Sequence, residues 1–274
     1  MEDQDDKKEE VVVHQKFLET ALQQKDKVKD CLSRNSQALY AHIEDCKKSE
    51  KWQLVLNKGG VEVYAPKQKE NTFCEFLTVT IHPLSPLEVF SFLRDNRFRT
   101  EWDKNVSKHM RVADISISQD TDLGCDLTYT RTKPIAGGLI TARSYLNMRK
   151  AYYDESTGTF IESAVSVDEI FSEIPERLDD SIAARLHLGS GGLFEPYNGG
   201  SHCKMSYLTM TDPKGWIPHS IANKVMPQEL VSYMGLMREV MTSEKFPYKV
   251  LNLDKNCSTG SKTIAAAEKK NKAK

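Results

Sequence analysis

The sequence lacks a long apolar run. No stretch approaches the roughly 18 consecutive apolar residues that a membrane-spanning helix needs. Residues 1–6 are acidic, whereas a signal peptide begins with basic residues. The six cysteines are scattered and form no CxxC pair, which favours reduced thiols over a disulfide framework. These absences predict a cytoplasmic protein that touches membranes only transiently.

An excess of charge of either sign is also missing. Lysine and arginine number 38 against 39 aspartates and glutamates, so the positive field that nucleic-acid binding requires is absent. The seven histidines never pair at metal-ligand spacing. No GxGxxG fingerprint, phosphate-binding loop or nucleophile elbow occurs. The sequence therefore predicts a monomer with no metal, cofactor, catalytic residue or nucleic-acid partner, and an enzyme is the less favoured alternative.

Composition divides the chain into three parts. Residues 1–29 form an acidic, partly helical extension, residues 30–247 form the predicted globular domain, and residues 248–274 form a flexible basic tail. Helix-forming residues without proline or glycine run from residue 9 to 48. Helical character therefore continues from the extension into the domain. The tail is expected to add at most a weak attraction to anionic lipid head groups.

Short strand patterns follow the helical region. Lys58-Gly59-Gly60 separates two β-type runs and predicts a hairpin. Ser85-Pro86-Leu87-Glu88 contains the cap, the proline and the acid of a helix start. Five or six further strands are predicted over residues 106–211, because polar or glycine-rich turns separate them. Short connections between sequential strands indicate a bent antiparallel sheet.

One long helix is predicted at the end of the domain. After Trp216, apolar residues that include Val225 and Met226 recur at three- and four-residue spacing. Pro227 lies inside this pattern and is expected to break or kink the helix. An antiparallel sheet flanked by two helical regions is an α+β architecture.

Three segments stand out from this framework. Residues 97–103 place arginines near a tryptophan, which is typical of stacked or ion-paired surface groups. If residues 143–149 form a strand, one face is polar, and periodicity alone favours water as its environment. The apolar loop 134–142 contains Gly137-Gly138, and it either packs on the core or forms a hinged lid.

These segments occur in the order and spacing of a known family. The markers are Trp52 with Gly60-Val61-Glu62-Val63-Tyr64, Arg99-x-x-Trp102-Asp103-x-Asn105, Arg143-x-Tyr145, Arg185 with Pro196, and Asp212-Pro213-Lys214-Gly215-Trp216-Ile217-Pro218 with Asn223. Over residues 30–246 the chain resembles the START family, named for steroidogenic-acute-regulatory-protein-related lipid transfer. The resemblance implies a helix-grip fold, in which a curved antiparallel sheet and a long C-terminal helix enclose a lipid cavity.

The resemblance also implies roles for individual residues. In phosphatidylcholine carriers of the family, an arginine three residues before the tryptophan holds the phosphate, and aromatic residues enclose the choline. In sterol carriers an acid pairs with an arginine; Arg149 matches the arginine, whereas Thr130 stands where the acid should be. The implied lipid-binding residues are Arg99, Tyr129, Thr130, Tyr145, Asn147 and Arg149. The implied lid and gate residues are Ile135, Gly137, Gly138, Leu139, Ile140, Trp216, Val225 and Met226.

The favoured function is the binding of one lipid and its transfer between membranes, with a phospholipid such as phosphatidylcholine as cargo. Ile135, Leu139 and Ile140 are expected to insert shallowly into the bilayer, with Trp216 near the interface. Alternatives are a sterol or carotenoid carrier and a lipid-sensing module that acts through residues 9–48. A cavity enzyme, such as a cyclase or a lipid hydrolase, is a third alternative.

Overall fold

The first hairpin forms around its glycine turn. Strands β1 (Trp52–Lys58) and β2 (Val61–Pro66) pair antiparallel. Gly59 and Gly60 between them have φ angles of 60° and 72°, a combination that matches the twist of a two-residue hairpin and that glycine adopts without strain. The predicted hairpin is confirmed.

The computed structural model describes residues 19–20, 23–48, 50–68, 73–95, 98–115, 122–171, 181–215, 217 and 219–243. The remaining strands are β3 (Cys74–His82), β4 (Val106–Ile115), β5 (Asp122–Thr132), β6 (Arg143–Asp154), β7 (Thr159–Ser166), β8 (Ile182–Ala183), β9 (Arg185–Leu186), β10 (Gly191–Tyr197) and β11 (His202–Asp212). They form one sheet in the order β1-β2-β3-β11-β10-β7-β6-β5-β4, with β8 beside β6 and β9 beside β11. Neighbours along this order are antiparallel, as predicted.

In the part of the chain that the structure describes, the helices that accompany the sheet are α1 (Lys25–Lys48), α2 (Pro86–Arg94), α3 (Arg99–Trp102) and α4 (His219–Thr242). The predicted capping box of α2 is confirmed, since the Ser85 hydroxyl accepts from the Glu88 amide and the Glu88 carboxylate accepts from the Ser85 amide. Among the described residues, no helix has the length and apolar character needed to cross a membrane.

The two faces of the sheet carry different helices. On the outer face, α1 contributes Val28, Leu32 and Leu39 to two clusters with apolar residues of β5, β6, β7 and β10. On the inner face, the second half of α4 packs with α2 in a third cluster that contains Phe90, Phe160, Phe194, Met205, Met234 and Met237. The sheet is therefore buried on both sides over much of its area.

Two further details concern Pro227 and the N-terminal boundary of the domain. Helix α4 is continuous through Pro227, so the proline does not end it. The expected boundary at residue 30 lies within α1, which packs on the sheet from Val28 onward. The predicted extension therefore contributes Val28 to the core, whereas residues 1–18 and 21–22 lie outside the described residues.

Candidate functional site

A cavity of about 330 Å³ lies between the inner face of the sheet and α4. Polar residues of β5 and β6 line one part of it, and Ala222, Met226 and Leu230 of α4 line another. The cavity therefore combines an apolar wall on the helix with an array of hydrogen-bonding groups on the strands.

The polar face of β6 turns toward this cavity. Arg143, Tyr145, Asn147 and Arg149 all line it, whereas Leu146 and Met148 pack in the outer cluster beneath α1. The interpretation from periodicity, which placed the polar face in water, is wrong because α1 covers the other face and leaves the polar set inside. The placement implied by the family resemblance fits this geometry for Tyr145, Asn147 and Arg149.

Tyr129 lies on the other side of β5 from the cavity. Thr128, Thr130 and Thr132 of the same strand line the cavity, so the alternation of side chains turns Tyr129 to the outer face. There it is 3% exposed, and the Lys108 ammonium lies 5.9 Å from its ring centroid. This position does not match the expectation that Tyr129 helps to enclose a lipid head group.

Arg99 lines the cavity but already has an acidic partner. Its Nη2 lies 2.8 Å from Oδ2 of Asp103, and its Nη1 donates to the Tyr233 hydroxyl at 2.8 Å. The guanidinium stacks between Trp102 and Tyr233, with centroid distances of 4.7 and 4.9 Å. The expected ion-paired and stacked arrangement is present, with Asp103 as the acid.

A buried ionic network lies beside the polar part of the cavity. Asp126 accepts two hydrogen bonds from Arg149, at 2.9 and 2.7 Å. Its Oδ2 also lies 3.6 Å from Arg94 and 3.2 Å from Arg111, and Arg94 pairs with Glu162 at 3.2 Å. Burial acts to raise the pKa of Asp126, but Arg149 and Arg94 hold that pKa well below its usual range. The carboxylate is therefore ionised at neutral pH.

Asp126 is the acid that sequence reasoning missed. It stands directly opposite Arg149 in the β5–β6 register, so pairing the two strands around their connecting loop would have found it. Thr130, the residue at the expected position of the acid, instead lies with its hydroxyl 2.8 Å from Nδ1 of His109. The sequence-based argument against an acid–arginine pair is thereby corrected.

The loop between β5 and β6, residues 133–142, is here called the lid. Backbone hydrogen bonds join Ile135 and Ile140 in both directions, at 2.9 and 3.3 Å. Gly137 and Gly138 have positive φ, and a Cβ on either would meet no atom of the described residues within 4 Å. Ile135 and Ile140 line the cavity, whereas Leu139 is 70% exposed. Of the three apolar residues expected to contact a membrane, only Leu139 therefore points outward.

The first half of α4 forms the opposite border of the cavity. Met226 lines it as expected, whereas Val225 is half-buried and is not one of the lining residues. Glu229 accepts a hydrogen bond from Asn105 at 2.9 Å, which ties α4 to the turn before β4. Trp216, the other expected gate residue, lies outside the described residues.

Two histidines are held neutral by the interior. The pKa values of His82 and His109 fall from 6.5 to about 3, mainly because burial disfavours the charged ring. Arg238 adds to the effect at His82, and Arg99 and Arg149 add to it at His109. The unfolded chain therefore binds more protons between pH 6.5 and about 3, and the free energy of unfolding falls as the pH falls through that range.

Replacing His82 with leucine should weaken this pH dependence. His82 is fully buried and neither ring nitrogen has a hydrogen-bond partner among the described residues, so leucine loses no bond. We expect stability at pH 7 to be kept or raised. The fall in unfolding free energy should be smaller by up to about 1.4 kcal/mol per pH unit. Urea unfolding at pH 6.5 and 4.5 measures both quantities, and an unchanged slope would contradict the assignment.

The formal charges of the described residues that line the cavity cancel. The lining residues include three arginines, Arg99, Arg143 and Arg149, and three acids, Asp103, Glu162 and Glu229. His109, which also lines the cavity, is neutral near pH 7 because burial lowers its pKa to about 3. The described lining residues therefore offer hydrogen bonds and local dipoles and carry no net formal charge.

Comparison with known proteins identifies the family to which the chain belongs. Residues 35–245 match the START domain. Mitochondrial steroidogenic acute regulatory protein from Equus caballus is 28% identical over 148 residues, which cover 54% of this chain and 48% of that protein. START domain-containing protein 10 from Mus musculus is 25% identical over 190 residues, with coverages of 66% and 57%. The chain spans about half the length of these curated relatives.

Solved structures share the fold. Human StAR-related lipid transfer protein 5 has a TM-score of 0.63 at 18% identity, over 77% of this chain and 96% of that one. Human STARD10 has a TM-score of 0.64 at 19% identity, with coverages of 84% and 87%. Because the START match covers well over half of the sequence and the sheet and helices follow the same architecture, the chain belongs to the START domain family.

Proposed function

We propose that this protein binds one lipid in the cavity beneath α4 and transfers it between membranes. The observation that carries the proposal is the cavity itself, which is bounded by the sheet, α4 and the lid. A methylene group gains about 0.8 kcal/mol on leaving water, so a lipid with some 30 methylenes faces a barrier on the order of 20 kcal/mol when it crosses water unaided. A protein interior that replaces the bilayer removes most of this barrier.

The preferred cargo is a phospholipid without net charge, such as phosphatidylcholine. The equal numbers of arginines and acids among the described lining residues favour a zwitterionic or neutral head group over one with a net charge. Arg99 is the proposed phosphate contact. Asp103 and Tyr233 hold its guanidinium in place, and its buried Nε has no hydrogen-bond partner among the described residues.

A sterol or another hydroxyl-bearing lipid is the second candidate. The observation that favours it is the pair of Asp126 and Arg149, which supplies the acid and the arginine that sterol carriers of the family combine. Arg149 lines the cavity, and Thr130 and Asn147 lie on the same wall. In this alternative a single lipid hydroxyl bonds to this group and the ring system packs against α4.

A carrier is a better fit to these side chains than an enzyme. Burial raises the pKa of Tyr145 to about 12 and lowers the pKa of His109 to about 3. Neither group exchanges a proton readily near pH 7, as a general acid or base must. We therefore propose that the buried groups orient the cargo and do not catalyse a reaction. We also propose that the protein is cytoplasmic, contacts membranes transiently and works as a monomer.

Native mass spectrometry of the purified protein tests cargo binding, because an intact bound lipid appears as a discrete mass increase. Transfer of fluorescent lipid between donor and acceptor vesicles then separates a carrier from a lipid-sensing module. We expect a bound phospholipid and protein-dependent transfer. Bound sterol alone would support the second candidate, and a protein that neither binds nor transfers lipid would overturn the proposal.

Substitution of Arg99 tests the head-group contact. Arg99→Gln should weaken phosphatidylcholine binding by about 10-fold to 100-fold, because hydrogen bonds to a charged group are among the stronger ones. The same change leaves Asp103 without its partner and should lower stability as well. The matched variant is Arg99→Gln with Asp103→Asn, which restores charge balance. We expect recovered stability and still-impaired binding, measured by thermal unfolding and lipid titration; recovery of both would make Arg99 purely structural.

A further inference from the structure

Arg143 connects two segments at the border of the cavity. It is the first residue of β6 and directly follows the lid. Its Nη1 donates to the carbonyl oxygen of Thr141 at 2.6 Å and to the hydroxyl of Thr141 at 2.7 Å. Its Nε donates to the carbonyl of Pro213 at 2.6 Å, and its Nη2 to the carbonyl of Lys214 at 3.1 Å. One guanidinium thus joins the lid to the chain between β11 and α4.

The segment 213–215 is shaped to receive this guanidinium. Lys214 and Gly215 both have positive φ, 51° and 69°, and the Lys214 amide donates to the Asp212 carboxylate at 2.9 Å. The resulting turn directs two successive carbonyl groups at one side chain. A Cβ on Gly215 would lie 3.4 Å from Nη2 of Arg143 and 3.2 Å from Ile182, which leaves little room for a side chain there.

The chemistry of these contacts differs from that of the other arginines in the cavity wall. Arg99 and Arg149 face carboxylates, whereas the acceptors described above for Arg143 are uncharged oxygens. Arg143 is 4% exposed, and burial lowers its pKa. Carbonyl groups hold a guanidinium less strongly than a carboxylate does, and water can replace them when the segments separate. Lysine cannot reproduce the contacts because its donors radiate from one atom.

We propose that Arg143 is a positioning residue that couples the lid to the connection before α4, so that both borders of the cavity release together. This inference rests on the proposed function, since release matters only if a lipid enters and leaves. If the lid and the connection before α4 opened independently, water could reach the cargo whenever either of them opened. A shared guanidinium instead makes opening a concerted event, in which several hydrogen bonds break at once.

Hydrogen–deuterium exchange on the full chain tests the coupling without any lipid. In Arg143→Lys, amides of the lid and of residues 214–215 should both exchange about 10-fold or more faster, because the bonds that close each segment are lost. Amides of β7 should be unchanged. Thr141→Val is the matched variant; it removes one hydroxyl acceptor and keeps the carbonyl, so we expect a smaller acceleration.

Gly215→Ala tests the same coupling from the other side and leaves Arg143 intact. Crowding at Nη2 and the positive φ of residue 215 should loosen the turn, and concerted release predicts faster exchange in the lid as well. Acceleration confined to the amides of residues 214–215, or uniform acceleration that includes β7, would overturn the proposal. If exchange is coupled but no lipid binds, the proposed function fails and the coupling stands. If lipid transfers normally without coupled exchange, the proposed function stands and the coupling fails.

Discussion

Replacing Asp126 with asparagine should lower the free energy of unfolding by about 3–5 kcal/mol. Asp126 is fully buried and faces Arg149, Arg94 and Arg111. Asparagine keeps the shape but removes the charge, so Arg149 and Arg94 are left with one acid, Glu162, which already pairs with Arg94, and Arg111 keeps only its exposed partner Asp114. A buried charge without a partner is far more destabilising than a lost surface pair. The midpoint of thermal unfolding should fall by roughly 10 °C for a domain of this size.

Asp114→Asn is the control for this substitution. Asp114 pairs with the same Arg111 at 3.0 Å, but its side chain is 65% exposed. Pairs of this kind contribute about 0–1 kcal/mol, so the control should unfold close to the parent protein. Differential scanning calorimetry of the parent and both variants gives the comparison. Similar midpoints for the two variants would mean that water reaches the network and that it is not a buried site.

Replacing Leu139 with aspartate should reduce vesicle-to-vesicle transfer at least about 10-fold. Leu139 is the exposed tip of the lid, and its side chain is available to leave water when the lid meets a bilayer. Burying one leucine contributes about 1.5–3 kcal/mol, and an ionised carboxylate in its place opposes insertion. Because the side chain is 70% exposed, the folded protein should keep its thermal stability and any lipid already inside.

Leu54→Asp is the matched control, since Leu54 is a 49% exposed leucine on β1, at the opposite edge of the sheet from β4 and β5. The same change of size and charge there should leave transfer unaffected. Transfer is measured by dequenching of a fluorescent lipid, and vesicle binding is measured by co-flotation. Equal losses in both variants would attribute the effect to surface charge in general and would remove the lid tip from the membrane contact.

Local signals in the sequence predicted the local structure well. The glycine pair at the first hairpin and the Ser85–Glu88 capping box each fix the backbone through contacts between near neighbours, and both occur as expected. Sequential strands with short connections likewise predict an antiparallel sheet, because such connections allow few other arrangements. The α+β class and the curved sheet with its C-terminal helix follow from these elements.

The orientation of β6 could not be predicted in the same way. Alternation separates Arg143, Tyr145 and Arg149 from Leu146 and Met148, but it does not say which set faces water. That outcome depends on α1, which is distant in sequence and covers the apolar set from outside. A polar face therefore lies inside the protein because a helix occupies the opposite side of the sheet.

The partners of the arginines posed a similar difficulty. Asp103 lies four residues after Arg99, a spacing that brings the two together only if the segment is helical, and α3 supplies that single turn. Asp126 meets Arg149 only through the register of two strands joined by the lid. The sequence therefore shows which arginines and acids are present, whereas the fold decides which acid pairs with which arginine.

The packing of α1 on the outer face has a practical consequence for work with shorter forms of the protein. The match to the family begins at residue 35, yet Val28, Cys31 and Leu32 are each at most 1% exposed and cover Leu127, Met148 and Val165. A recombinant fragment that begins at the family boundary would expose a continuous apolar surface on β5, β6 and β7. Such surfaces promote self-association. The cloning limit for a well-behaved fragment is therefore set by α1, several residues before the homology begins.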